Sequence, residues 1–415
     1  MQGISAGSRP VRTIGLGTAL LRGALAIPLM AVIGVTATAG ADPQHGEQQR
    51  GKTQYVVTEL ESLGGTSSAG NSINNRGWVA GFSQLPGDAV MHATLWRNGS
   101  ALDLGTLGGP DSNSAVLWPV KNNRMVVGIT ETTDVDPLNE AWSCSAFFGV
   151  DTKHACVGFV WERGEMRALD TFGGTHGFAT GANSRGQVVG WAEVRAPDRT
   201  CNQIDQFLGF RAAIWDTRRD DRVRKLRPLR GDTASSATAI NNRGQVVGIS
   251  GICANAVGGF SARHAVLWEH GEPIDIGNFG GEAWNTPMAI NNKGVVVGFA
   301  NAAGTVGNDF NERAFVWSKR GGFEPLDTLP GDIRSQALGI NDRGQVVGQS
   351  TGAAGLRAFI WEDGAMADLK TLAPGYEGRL LYANDINNAG VISGAAINAA
   401  TGETVAFVAT PTGSP

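Results

Sequence analysis

The residues of this 415-residue chain best suited to chemistry gather in three stretches. The first holds Asp134, Asp136, Glu140 and Trp142, followed by Cys144 and Cys156; the second holds Asp198, Cys201, Asp205 and Phe207. The third is Asn308-Asp309-Asn311-Glu312, beyond Cys253. An acidic and aromatic set of this kind suits a glycan, a cationic peptide or calcium. Calcium loops need a longer acidic run with a glycine, and Asp134-x-Asp136 is only a fragment of one. Glycan cleavage needs two carboxyls roughly 5–10 Å apart, which nominates Asp134, Glu140 and Asp198 if the protein is an enzyme. Ordinary solvated loop residues have the same composition. Four cysteines, an even number, read as two disulfides. Three pairings are possible; the favoured one is Cys144–Cys156, closing one loop, with Cys201–Cys253, tying neighbouring units. A four-cysteine zinc site is the alternative, although no Cys-x-x-Cys spacing supports it.

Other chemistry is searched for without result. The chain has six histidines. His92 and His264 occupy equivalent positions in different repeats, so they are expected to hydrogen-bond at strand starts rather than converge. His154 and His176 fall in loops without partners at ligand spacing, His270 in a turn and His45 near the N-terminus. No Gly-x-Ser-x-Gly elbow or His-Glu-x-x-His occurs, and no Gly-Gly pair sits between a strand and a helix as a phosphate loop must. The run Arg218-Arg219-Asp220-Asp221-Arg222-Val223-Arg224-Lys225 reads as an exposed hairpin turn, with a polyanion site as its sharper alternative. No catalytic residue, cofactor or metal is therefore assigned.

The elements that position these stretches follow from internal repetition, which is the first thing to look for. A motif close to Ile-Asn-Asn-Arg-Gly-x-Val-Val-Gly occurs seven times, ending at Gly81, Gly128, Gly190, Gly248, Gly298, Gly348 and Gly394. A Leu-x-x-Leu-Gly-Gly relative precedes each copy, starting at Leu60, Leu104, Leu169, Leu226, Ile276, Leu326 and Leu369. An apolar strand ending in Trp follows: Trp96, Trp161, Trp215, Trp268, Trp317 and Trp361, with Ala409 in the seventh unit. In the second unit Arg124 stands where glycine is expected, so that turn must differ.

Each unit reads as four short strands. Asn-Asn-Arg-Gly makes a tight hairpin, because Asn and Gly tolerate positive φ. Val-Val-Gly is apolar on both faces and should be doubly buried. No segment shows a helical period. Repeats of this length with four strands predict an all-β fold, a seven-bladed β-propeller of four-stranded blades; an open solenoid is the rival. The Ala-rich and Val-Val-Gly strands belong innermost and the Trp strands further out. The Gly-Gly segment then crosses to the next blade, and Tyr55 to Leu60 must pair with Val405 to Val408 to close the ring. The connection between the Val-Val-Gly strand and the Trp strand is the variable one. It carries all four cysteines and shares a face with the crossings, the face where propellers generally bind.

Together the three motifs resemble the HAF-repeat family of bacterial extracellular proteins, named for a His-Ala-Phe tripeptide before the Trp. Asp103-Leu-Gly-Thr-Leu-Gly-Gly109 and the Ile240 and Ile340 copies carry the likeness across about residues 55–410. No copy reads His-Ala-Phe intact: His92-Ala93 and His264-Ala265 keep two letters, and Arg313-Ala314-Phe315 and Arg357-Ala358-Phe359 keep the other two. The resemblance implies export and a propeller-like fold, and it implies no catalytic residue.

Composition agrees. The chain has 59 glycines, 11 Trp and only 17% charged residues, against about 25% in an ordinary domain. That excludes a coiled coil, and the glycines lack collagen's period of three. The net charge of −4 argues against nucleic acid as a partner. Arg9 and Arg12, an apolar run clearest from Ala24 to Val35 and the small residues Ala37 to Ala41 read as a signal peptide cut near Ala39 or Ala41; a retained anchor is the alternative. Residues 42–54 form a polar lead-in, 55–410 the propeller and 411–415 a tail. The expectation is a secreted or cell-surface monomer with no membrane span in the mature chain. It is a binding module for an extracellular carbohydrate or protein. An extracellular polysaccharide lyase or glycoside hydrolase, or a purely structural module, is the alternative. The candidate ligand contacts are Asp134, Asp136, Glu140, Trp142, Asp198 and Asp205.

Overall fold

The computed structural model describes residues 53–412 apart from 121, 123, 151, 219–221, 255–256 and 308. The expected signal peptide lies outside the described residues, as do most of the lead-in, residues 413–415, Asn308 and the middle of the Arg-rich run. Seven antiparallel four-stranded sheets form the blades of a β-propeller. Blade 4 shows the pattern, running outward as Ala234–Ile240, Val246–Gly251, His264–Glu269 and Glu272–Asp275. Blade 7 takes Arg379–Ile386, Ile392–Ile397 and Thr404–Thr412 from the C-terminus and Gln54–Glu59 from the N-terminus. Pairing of Thr58 with Val408 and Gln54 with Thr412 closes the ring as expected. The paired strands reach one residue further at Gln54 and two further at Thr412 than the repeat bounds suggest.

Val-Val-Gly is glycine for a reason of space. A Cβ on Gly81, Gly248 or Gly348 would run into the carbonyl oxygen of Ala69, Ser236 or Gln336 on the innermost strand. At the same level that strand slips register, between Gly70 and Ser72, Ala237 and Ala239, or Ala337 and Gly339. A bulge re-aims the side chain it carries. The residues inside these slips are Asn71, Thr238 and Leu338; in blades 3, 5 and 7 they are Thr180, Met288 and Asn384.

The Ile-Asn turn does more than reverse the chain. The first Asn side chain of each blade donates to the backbone carbonyl of its counterpart in the next, all the way round: Asn74 to Asn122 at 3.1 Å, Asn122 to Asn183, Asn183 to Asn241 and Asn241 to Asn291. Asn291 to Asn341, Asn341 to Asn387 and Asn387 to Asn74 at 3.1 Å complete the circuit. Each Oδ1 meanwhile caps its own turn; Asn291 accepts from the Lys293 and Val295 amides, both at 3.0 Å. In blade 2 Asn122 accepts instead from Arg124 and Met125. The turn without glycine is thus one residue tighter.

The Trp strands are third from the axis, as expected. Trp96, Trp215 and Trp268 are buried, and their indole N–H groups donate to the carbonyls of Glu61, Asp170 and Arg227 on the incoming crossings, at 2.7–2.8 Å. The insert of blade 2 departs from expectation, because Trp142–Phe148 is a seven-residue α-helix. It is too short for a helical period to show in the sequence. Leu369–Leu372 and a 3₁₀ turn at Gly259–Ala262 are the other described helical pieces.

Asn291→Ala removes one donor and one double acceptor that are buried, so it should cost about 3 kcal/mol, since each stranded polar group costs about 1–3. The exposed neighbour Asn292→Ala should cost under about 1 kcal/mol. Urea melts of the two variants compare them; equal costs would mean that the side-chain circuit does not hold the blades.

Candidate functional site

Antiparallel order puts the Asn turns on one face of the ring and the long inserts on the other. The inserts of blades 2, 3 and 4 are stapled as expected: Cys144 pairs with Cys156 and Cys201 with Cys253, over 12 and 52 residues. No free cysteine remains, so the zinc alternative falls for want of thiolates.

The acidic and aromatic candidates separate into two kinds. Asp136, Glu140 and Trp142 come together, but in the interior, each at most 5% exposed. Glu140 Oε1 accepts from the amides of Phe207 and Leu208 in the neighbouring insert. Trp142 stacks on Trp191 at 4.8 Å and donates at 3.0 Å to Glu193, a buried carboxylate in blade 3. Asp136 accepts from the amides of Leu138 and Glu140 and faces His176 Nε2 at 3.5 Å. These residues dock one insert onto the next. Asp134 is exposed and stands apart. Asp198 caps its own loop by accepting from Thr200 N and Oγ1, and Asp205 accepts from Asn202. Asp309 and Asn311 are tied to Asn301, whereas Glu312 is buried in a strand beside Gln336.

His176 was expected in a loop without partners; it lies in the innermost strand Gly173–Ala182 and is fully buried. Its Nδ1 accepts from the Cys156 amide at 3.1 Å, which leaves the proton on Nε2, toward Asp136. Burial pushes Glu193 up to about 7 and raises Glu140 as well. Burial also works against ionising Asp136, but hydrogen bonds from His176, Leu138 and Glu140 outweigh it and hold that carboxyl below its usual range.

What the inserts enclose is apolar. A cavity of about 210 Å³ opens at the insert-bearing end of the channel. Trp118 and Phe147 border it from blade 2, and Trp284, Met288, Phe299 and Phe310 from blade 5. Aromatic groups meet edge to face on both sides: Trp118 lies 5.4 Å from Phe178, and Trp284 lies 4.9 Å from Phe310. The bulge residues Asn71, Thr238, Met288, Leu338 and Asn384 reach into the same space. None of the lining residues is Asp, Glu, His, Lys or Arg. Sequence reasoning passed over this well. Its signal was the residue three before the Asn of each turn, which reads Asn, Thr, Thr, Met, Leu and Asn in the bulged blades while its neighbours are mostly Gly, Ala or Ser.

No protein-family model matches the chain, and no curated protein does. Among solved structures it is similar to an oligogalacturonate lyase in complex with manganese, at 9% identity and a TM-score of 0.45 over 87% of this chain and 96% of that one. It is also similar to dipeptidyl peptidase 4 of Porphyromonas gingivalis, at 10% identity and a TM-score of 0.30 over 80% of this chain and 51% of that one. Both likenesses are too slight to carry an argument about activity.

The repeat histidines do hydrogen-bond at strand starts. His92 meets Asp103 at 2.9 Å and His264 meets Asp275 at 3.0 Å, each on the outer strand of its own blade. At His92 burial opposes the charge but the Asp103 bond prevails; at His264 the Asp275 bond leads. Both rings are raised above the usual value, and both aspartates are lowered. A raised histidine stabilises the fold fully below its unfolded pKa and loses that contribution as pH rises through the folded one. The melting temperature should therefore fall between pH 5.5 and 8.5. The His92→Gln/His264→Gln double variant should fall less, by about 1 kcal/mol or under, because the partners are half exposed. Parallel pH profiles of the two proteins would refute the pairing.

Proposed function

We propose that this chain is an exported binding module of the HAF-repeat kind, which seats an uncharged, largely apolar part of an extracellular ligand in the well on its insert-bearing face. The carrying observation is the well itself, with aromatic walls from blades 2 and 5 and no carboxylate, Lys, Arg or His among the described residues of its lining. Concave, mostly apolar pockets with a few fixed polar groups are where ligands bind. Export is supported by the leader pattern of residues 1–41 and by two disulfides, which persist in oxidising compartments. Among the described residues no helix is long and apolar enough to cross a membrane.

Binding is favoured over glycan cleavage by what the carboxylates already do. Glu140 and Asp136 hold backbone amides of the inserts, and Asp198 holds Thr200. None of the three lines the well. The apolar lining also favours a ligand with an aromatic or aliphatic group over a bare polysaccharide.

The test is a panel of glycans, extracellular proteins and small uncharged ring compounds, scored for binding and for product release. Binding without turnover is expected, and Met288→Trp, which fills the well, should weaken it at least tenfold while the melting temperature holds. Turnover lost in Asp198→Asn would replace this reading with the enzymatic one.

A further inference from the structure

We propose that the well takes a free small molecule, an uncharged ring bearing a carboxamide or lactam edge, and that Gln349 reads that edge. The proposal rests on the insert-bearing face being the ligand site. Gln349 borders the well, is 5% exposed, and its amide has no hydrogen-bond partner among the described residues. Its polar atoms are not sealed off within the fold; they open onto the well that the residue lines, free to pair with what enters it. Gln349 also breaks a pattern. The residue after Val-Val-Gly is Phe82, Ile129, Trp191, Ile249, Phe299 and Ala395 in the other blades, and polar only here.

A primary amide offers a carbonyl acceptor and two N–H donors side by side. The group that satisfies both at once is another amide edge, a carboxamide or a lactam, each donating one N–H to the other's carbonyl. The other amides nearby are engaged. Asn384 donates to Asn71 Oδ1, Asn71 donates to the Val116 carbonyl, and Gln336 donates to Glu312. Thr238 donates its one hydroxyl hydrogen to the Pro287 carbonyl at 2.6 Å. Besides Gln349 the lining offers the unpartnered indole N–H of Trp118 and the hydroxyls of Thr286 and Tyr382, too few for the many hydroxyls of a sugar, each of which would be buried at a cost.

Charge and size narrow the class further. A carboxylate or ammonium would enter without a counter-charge in the lining. The cavity is about 210 Å³, and one of about 150 Å³ admits benzene. One substituted ring or a fused pair therefore fits. Blades 2 and 5 lie three apart in a ring of seven, so their aromatic groups face the ring from opposite sides of the axis.

The experiment titrates the mature protein with benzamide, oxindole, benzoate, benzylamine, toluene and glucose, by calorimetry and tryptophan fluorescence. Benzamide and oxindole should bind, and benzoate, benzylamine and glucose should not. Gln349→Leu should weaken both amides at least tenfold and leave toluene unchanged. Gln349→Glu, which keeps the size but loses the N–H pair, gives the same answer if the Leu variant does not fold. Equal binding of benzoate, or an unchanged benzamide affinity in both variants, overturns the proposal. Tighter binding of N-acetylphenylalanine amide than of benzamide overturns the free-molecule part of it. If no ring amide binds but a captured glycan or protein is released by Met288→Trp, this inference fails and the binding-module reading stands. If Met288→Trp leaves that capture intact, the reading itself fails.

Discussion

The structure depends on one repeated hydrogen bond, from an asparagine side chain to the backbone of the next blade. A ring of sheets packed only by apolar faces has no fixed angle between neighbours, because burial is non-directional. The circuit from Asn74 through Asn387 and back supplies direction. Each Asn also caps its own turn, so the position of a turn and the position of the neighbouring blade are set by the same side chain. With the axis held from the turn face and the ring closed by Gln54–Glu59, the opposite face is free to differ from blade to blade.

That division explains which features were legible in the sequence. Strand order and ring closure followed from repetition, because each is specified by many copies; four cysteines implied two disulfides, but their count left three pairings open and only the fold selects Cys144–Cys156 and Cys201–Cys253. The Asn circuit was visible as seven asparagines but was read only as turn chemistry; its partner carbonyls lie 46 to 61 residues away, or 313 across the closure. The well was not legible for a related reason. It is built from single residues such as Asn71, Thr238, Met288 and Leu338, each at a register slip beside the Val-Val-Gly glycine, where a Cβ would meet the innermost strand's backbone. A repeat motif shows the glycine and not the slip beside it.

The acidic inserts mislead in an instructive way. Clustered carboxylates near aromatics resemble a ligand site, yet Glu140 and Glu193 bind amide and indole N–H groups across a blade boundary. Their burial raises both pKa values, a cost borne by the dock between blades 2 and 3. The gain is rigidity. The helix Trp142–Phe148 is fastened at its start by Trp142 on Trp191 and next by Cys144–Cys156, and it carries Ala146 and Phe147 to the edge of the well.

The well is consequently lopsided. Its high walls come from the inserts of blades 2, 4 and 5, namely Phe147, Val257 and Phe310. Blades 6, 7 and 1 join their second and third strands by short turns, Gly352 to Gly355, Ile397 to Thr404 and Gln84 to Met91, and contribute only strand residues such as Gln349, Tyr382 and Phe82. The well is therefore open toward blades 6, 7 and 1. Gln349 stands on that low side, so on the proposed reading its amide would be met as a ring enters between the aromatic groups. Specificity then needs no catalytic-looking residue: it follows from which side chains the bulges turn inward and from which blades were left without walls.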